Sequence, residues 1–355
     1  MNPGKFLLYP IGLIYGFLMH LRNLLFDKKI LRAFSPAAPS IGIGNLSTGG
    51  TGKSPLAAMI SGYFSGKKNI VFVSRGYGRK TRGFRIAGEG DTAETIGDEP
   101  YQIHKNYRDI KVVVDHRRVR AVKKILAEHQ DVDLIIFDDI FQHRRIKPGL
   151  NIMLTEYSKP FFKDYILPVG NLREFRSGKK RADVIIVTKT PAVFSPIERR
   201  HLIQQISPQG EQKVLFSYLR YTGLLHFESE VQSPLPINKV LNKETEVMAF
   251  CGIGNPDPFE DFIRENSSGY QIRTFPDHHF YTLEEFRSII QEFAKMKAKN
   301  KVLLTTEKDM ARLRRAEFED MGKGLSFFSV RIAPAFHPPD DQIFEQIINQ
   351  HAGQL

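Results

Sequence analysis

Lys53 sits in Ser47-Thr48-Gly49-Gly50-Thr51-Gly52-Lys53-Ser54, an octet whose residue types suit the holding of a polyphosphate. Glycines let a backbone wrap closely round phosphate oxygens, because without a Cβ they reach φ > 0 at no steric cost. A helix that starts straight after such a turn presents unpaired N–H groups and the positive end of its dipole to the anion. Lys53 would reach the β- and γ-phosphates, and the Ser54 hydroxyl would hold Mg²⁺. The general pattern G-x-x-x-x-G-K-[ST] opens on glycine, and Ser47 takes that place here. The plainer alternative is a glycine-rich turn that happens to precede a lysine.

Several further stretches carry groups that could complete such a site. In Leu134-Ile135-Ile136-Phe137-Asp138-Asp139 an apolar strand ends in two carboxylates, where Mg²⁺ would sit beside the phosphates. Adjacent strand residues point to opposite faces, so one of Asp138 and Asp139 is expected to meet the ion directly. His143, Arg144 and Arg145 follow at once and could clamp phosphate, as could Arg75 and Arg79 in Ser74–Arg79 and Arg173 in Leu167–Glu174. Gly97-Asp98-Glu99-Pro100 offers two neighbouring carboxylates, one able to accept a proton from a substrate hydroxyl and the other to hold the metal. In Phe275–Phe280 a histidine follows Asp277, which can orient it and make it more basic. Each stretch alone has an ordinary reading as a cap, a turn or a solvated basic loop. Thr188-Lys189-Thr190-Pro191 and Thr306-Glu307-Lys308-Asp309 both miss the N-K-x-D base-reading motif, so guanine selectivity is not expected.

The elements that must carry these groups alternate. Apolar β-rich runs at 40–46, 70–74, 111–115, 134–138, 150–154 and 184–188 are separated by helix-compatible stretches. Runs apolar almost throughout are strands covered on both faces, and the alternation predicts a mainly parallel sheet between helices. A second α/β set follows at 247–251, 271–275, 301–305 and 325–330, with a β-rich run at 215–227 and a linker-like stretch at 232–236. The expected organisation is a P-loop domain over 36–215 and a second α/β domain over 216–355, whose last helix, 340–351, could pack back on the first.

Residues 1–35 read differently. Leu7, Ile11, Ile14, Leu18, Leu21 and Leu25 form a stripe at helical spacing, opposite Gly12, Gly16, His20, Asn23 and Asp27. With basic flanks at Lys5, Arg22, Lys28 and Lys29, this is an amphipathic helix suited to a membrane interface. The unbroken run Phe6–Met19 is too short to cross about 30 Å of hydrocarbon. A cleaved signal peptide and an ordinary core helix are the alternatives.

The 355 residues are 41% hydrophobic and 25% charged, values of a globular chain rather than a disordered one. A single cysteine, Cys251, excludes an internal disulfide framework and a multi-cysteine metal site. A net charge of +12 and a pI near 9.6 favour anionic partners. No Lys/Arg block is long enough to single out nucleic acid, which is not an expected partner, and no obligate protein partner is evident.

Taken together, GNLSTGGTGKSP, SRGYGRK, GDEP, FDDIFQHRRIKPGLNI, LPVGNLRE, GIGNP, FPDHHFYT and TTEKD resemble, in order from residue 44 to residue 309, the tetraacyldisaccharide 4'-kinases, the lipid A 4'-kinases of Gram-negative bacteria. The resemblance implies two α/β/α domains around a cleft and peripheral or monotopic attachment to the cytoplasmic face of the inner membrane. The implied reaction moves the γ-phosphate of ATP to the 4'-hydroxyl of an acylated glucosamine disaccharide 1-phosphate. Carried over, Lys53 and Ser54 take the P-loop roles, and Asp98 is the catalytic aspartate working with His278. Glu99, Asp138 and Asp139 are the acidic residues around Mg²⁺. Arg75, Arg79, His143, Arg144 and Arg173 are the candidates for substrate phosphates. Two departures stand out: Ile140 where glycine is expected, and Phe175 where proline is usual. A membrane-associated P-loop NTPase that regulates a partner protein is the rival reading, and a plain lipid-binding module, which leaves Lys53 without a role, is third.

Overall fold

The computed structural model describes residues 8–228 and 234–353. Lys5, Phe6 and Leu7 of the N-terminal helix, and Gln232 and Ser233 of the linker-like stretch, lie outside the described residues. Among the described residues there are twelve strands: β1 (Ser40–Asn45), β2 (Ile70–Ser74), β3 (Arg85–Ile86), β4 (Lys111–Val114), β5 (Leu134–Phe137), β6 (Leu150–Glu156), β7 (Val184–Thr188), β8 (Lys213–His226), β9 (Glu246–Cys251), β10 (Gly269–Thr274), β11 (Lys301–Thr306) and β12 (Phe327–Phe336). The helices are α1 (Tyr9–Asp27), α2 (Lys53–Phe64), α3 (Ala93–Ile96), α4 (Asp98–Asn106), α5 (Arg118–Glu128), α6 (Pro196–Ile206), α7 (Ile237–Val240), α8 (Asp257–Asn266), α9 (Leu283–Lys295), α10 (Glu307–Arg312), α11 (Ala316–Gly322) and α12 (Asp340–His351).

All twelve strands join one sheet, in the order β10-β9-β11-β12-β8-β7-β6-β1-β5-β2-β4-β3. Every pairing is parallel except β8–β12 and β3–β4. The strands expected from apolar runs are present within a few residues of their expected limits, except that β12 runs on to Phe336, well past the expected end at 330. The short edge strand β3 has no apolar run to announce it, and both its residues are exposed.

The join between the two strand sets is a finding of the structure. β8 pairs parallel with β7 through Lys213–Phe216, then antiparallel with β12 through Ser217–His226. It therefore changes partner in mid-strand. Leu215 lies in the same core cluster as Ile41 and Ile152, while Leu224 lies with Val247 and Leu304. α12 returns to the first set, placing Phe344 and Ile348 against Ile41 and Leu150. Its Asp340 carboxylate accepts the backbone N–H of Phe216 at 2.8 Å, at the point where β8 switches.

α1 docks by its small residues. Gly12 and Gly16 are buried, and a Cβ on Gly16 would lie 2.6 Å from Phe175 Cζ and 2.8 Å from Ile166 Cδ1. Phe175, the departure from proline, is thus the ring on which the helix rests. The side carrying the glycines faces protein, and the apolar side faces out: Ile11, Ile14, Phe17 and Leu18 are each more than half exposed. This apolar surface also takes in Leu13 and Leu24, so it is broader than the predicted stripe.

Candidate active site

The octet forms a cradle. β1 ends at Asn45, whose Nδ2 donates to Thr51 Oγ1 at 2.8 Å, and Thr188 Oγ1 at the end of β7 donates to the Thr51 carbonyl at 2.8 Å. Two strand ends thereby fix the middle of the loop. Gly52 caps α2 with φ +86°, a conformation that disfavours any side chain, and Lys53 opens the helix. Ser47 and Thr48 brace the entry, Ser47 by a bridge to Leu172 and Thr48 by its N–H to the Asn171 carbonyl at 2.8 Å.

Asp138 and Asp139 emerge from β5 beside this cradle and diverge. Asp138 is buried and accepts from Ser74 Oγ at 3.2 Å. Burial, then the nearby Glu99 and Asp139 charges, push its carboxyl up to about 6. Asp139 takes the left-handed backbone, with φ +43°. Its carboxylate pairs with Lys53 at 3.8 Å and accepts two bonds from Arg173 at 2.9 and 3.1 Å. Burial alone would raise Asp139; the Arg173 hydrogen bonds and the Lys53 charge outweigh it and bring it down to about 2. Burial lowers the Lys53 pKa, an effect that Asp139 opposes. Ile140 packs over Gly42, where a Cβ would lie 2.8 Å from Ile140 Cγ2. The turn after β5 places its positive φ on Asp139, so Ile140 fits without strain.

The GDEP stretch begins α4. Gly97 has φ +97°, and a Cβ there would lie 3.0 Å from Gly76 Cα and from the Tyr77 carbonyl. Only glycine suits that approach, and it sets Asp98 and Glu99 in the first turn of the helix. Glu99 Oε1 accepts from Ser54 Oγ at 3.3 Å and from Lys308 Nζ at 3.5 Å. Next to it, Asp98 Oδ2 meets His278 Nδ1 at 3.2 Å. Burial pushes the Asp98 carboxyl up, but the His278 hydrogen bond and the Arg312 guanidinium more than offset it, leaving it below its ordinary value. The same hydrogen bond raises the pKa of His278. His278, with φ +60°, comes from the loop after β10. His279 turns away, pairing with Glu285 Oε2 at 3.0 Å and stacking on Phe275. Of the two histidines, His278 is the one that reaches Asp98.

Cradle, paired strand-end carboxylates and the aspartate–histidine pair therefore lie at one edge of the sheet, linked by the Ser54–Glu99 contact. The remaining basic candidates are more dispersed. Arg75 is exposed at the end of β2, and Arg79 donates to the Gly83 carbonyl at 2.6 Å. His143 has a buried Nε2 without a protein partner, and burial together with Arg118, Arg22, Arg145 and Arg75 pushes its pKa down to about 4. Arg144 pairs with Asp27 of α1 at 2.6 Å and lies over the Phe26 ring. α1 also donates from Tyr15 to the Arg173 carbonyl at 2.9 Å and from Asn23 to Glu174 at 2.6 Å. It is thus tied to both loops that flank the cradle.

Sequence reasoning missed Arg312, Lys308 and Asn45. Lys308 stands in TTEKD, a motif read for base recognition and for the family resemblance but not for a role in the site. Arg312 follows Asp309 by three residues, a helical spacing that hinted at a shared face.

Ser54, Glu99 and Asp138 offer hard oxygen donors near one another. Among the described residues no three His, Cys, Asp or Glu side chains form a ready-made metal cluster. The donor set of one hydroxyl and two carboxylates is of the kind Mg²⁺ takes, its shell being completed by water and substrate phosphates.

A profile of the Tetraacyldisaccharide-1-P 4'-kinase family matches residues 4–352. A tetraacyldisaccharide 4'-kinase of Parabacteroides distasonis is 37% identical over 347 residues, covering 97% of this chain and 94% of that protein. Those of Porphyromonas gingivalis strain ATCC 33277 and Flavobacterium johnsoniae are 39% and 36% identical, covering 93% and 88% of this chain and 92% and 89% of their own lengths. The crystal structure of an LpxK from Aquifex aeolicus in complex with ATP superposes with a TM-score of 0.74 at 25% identity, covering 98% of this chain and 99% of that one.

Proposed function

The chain belongs to the tetraacyldisaccharide-1-P 4'-kinase family, and from that premise we infer a division of labour among its site residues. It is an ATP-dependent phosphotransferase that moves a phosphate to the 4'-hydroxyl of a tetraacyl glucosamine disaccharide 1-phosphate in lipid A biosynthesis. The observation that carries the assignment of roles is the Ser54–Glu99 contact, which sets the cradle beside the Asp98–His278 pair.

Lys53 and the loop N–H groups take the β- and γ-phosphate oxygens. Ser54, Glu99 and Asp138 would hold Mg²⁺. The ion, when bound, neutralises charge that develops on the transferring phosphoryl group. Asp139, already paired with Lys53 and Arg173, keeps both cations aimed at the phosphates. Asp98 accepts the proton of the attacking hydroxyl, with His278 donating to it from Nδ1. Arg75, Arg79 and His143 face the anionic glycolipid; Arg144 is assigned to the anchoring of α1.

The test is where the phosphate goes. With ATP labelled at its terminal phosphate and the acylated disaccharide 1-phosphate, the label is expected at the 4' position of the lipid. Label found only as inorganic phosphate would favour the rival NTPase reading.

We also read residues 1–35 as a membrane-interface segment, 36–215 as a nucleotide-binding domain and 216–355 as a second domain whose last helix returns to the first. Among the described residues no helix is long and apolar enough to cross a membrane. The outward apolar face of α1 supports peripheral attachment to the cytoplasmic face of the inner membrane, and the net charge suits an anionic lipid surface. An interfacial enzyme need not pull acyl chains into water, at about 0.8 kcal/mol per CH₂ exposed. The triple replacement Ile14→Glu, Phe17→Glu, Leu18→Glu is expected to lower binding to anionic phospholipid vesicles at least about tenfold, measured by co-sedimentation. Unchanged co-sedimentation of a folded variant would move the anchor elsewhere.

A further inference from the structure

Arg312 is a fully buried guanidinium that bonds directly to a carboxylate of the site, and nothing in the division of labour above uses it. It is 2% exposed, at the end of α10. Its Nε and Nη2 donate to Asp98 Oδ2 at 3.1 and 2.7 Å. Its Nη1 donates to Asp309 Oδ1 at 2.9 Å and to the Gly252 carbonyl at 3.1 Å. Asp309 is locked in turn: Oδ1 accepts the Gly252 N–H at 3.1 Å and Oδ2 accepts from Thr306 Oγ1 at 2.7 Å. The guanidinium is therefore held rigidly by the ends of β9 and β11 and directed at a carboxylate on α4, in the other half of the sheet.

A buried charge held by so many partners is expensive to maintain unless its direction matters. The direction here is specific. Among the described residues, Asp98 Oδ2 takes both Arg312 bonds and faces His278 Nδ1, while Oδ1 has no partner. Two donors converging on one oxygen fix the carboxylate's rotation and leave the other oxygen for a proton in flight. We propose that Arg312 is a positioning residue for the transfer reaction: it sets the plane of Asp98 so that Oδ1, with its lone pairs unengaged, meets the acceptor hydroxyl. A lysine at this place would keep the charge and lose the planar fork. The proposal rests on Asp98 being the proton acceptor.

The test uses the full-length enzyme and its lipid acceptor. Arg312→Gln is expected to lower kcat about 10²-fold while KM for ATP changes less than about twofold, because orientation is lost at the reacting oxygen and the cradle is untouched. Arg312→Lys, which keeps the buried positive charge should the glutamine variant fail to fold, is expected to lose about tenfold. Arg312 Nη2 also approaches His278 Nδ1, at 3.3 Å, but its two short bonds go to Asp98, so the double variant Asp98→Asn, Arg312→Gln is expected to be no slower than Asp98→Asn alone. Added guanidinium ion at millimolar concentration is expected to restore part of the Arg312→Gln rate and none of the Asp98→Asn rate. Additive losses in the double variant, or wild-type kcat in Arg312→Gln, would overturn the positioning role. If Asp98→Asn itself turned over normally, the failure would lie in the reading of Asp98 and not in the geometry of Arg312.

Discussion

Asp98→Asn is expected to slow phosphate transfer about 10³-fold, with the KM for ATP little changed. The substitution keeps the shape of the side chain and removes its ability to take a proton. The cradle is built from other residues, so nucleotide binding should survive, and a binding assay with ATP checks that directly. The fold should survive as well, with a stability penalty whose sign follows from the titration. Asp98 has a folded-state pKa below its unfolded value, so its contribution to stability is present above about pH 4 and is lost as the pH falls through the folded value. The variant should therefore melt below the wild type at neutral pH, and the gap should narrow in acid. Wild-type transfer rates in the folded variant would remove Asp98 from the mechanism.

Lys53→Met should separate catalysis from stability more cleanly. Loss of a fixed cation at the transferring phosphate is expected to lower kcat about 10²–10³-fold. The lysine is partly buried, and that desolvation lowers its pKa, so folding costs its charged form part of its hydration. Removing it relieves that penalty, while Asp139 keeps its two bonds from Arg173. Melting temperature at pH 7 should hold or rise as turnover collapses. A variant that lost activity and stability together would mean that Lys53 is mainly a structural partner of Asp139.

Much of this site could be read from the chain because its signals are local. A glycine-rich octet between an apolar run and a helix, and an apolar run ending in two aspartates, keep their meaning wherever the rest of the chain goes. The β8–β12 pairing could not be read, because it depends on which of several apolar runs meet at long range. Arg312 was equally hidden: its role is set by Asp98, far away in sequence, and a lone arginine on a short helix looks like surface. Nor did the stripe on α1 say which side meets protein. Glycine is neither polar nor bulky, and only the Phe175 ring that fills the space against Gly16 decides it. Arg144 illustrates the converse limit, since its residue type suits phosphate but its geometry gives it to Asp27.

The mid-strand change of partner in β8 has a consequence for how such a chain can diversify. The handover falls between Phe216 and Ser217, inside one hydrogen-bonded strand, so a splice there would cut pairing on both sides instead of passing through a loop. Replacing either set of strands would mean rebuilding the ribbon on which the other set depends.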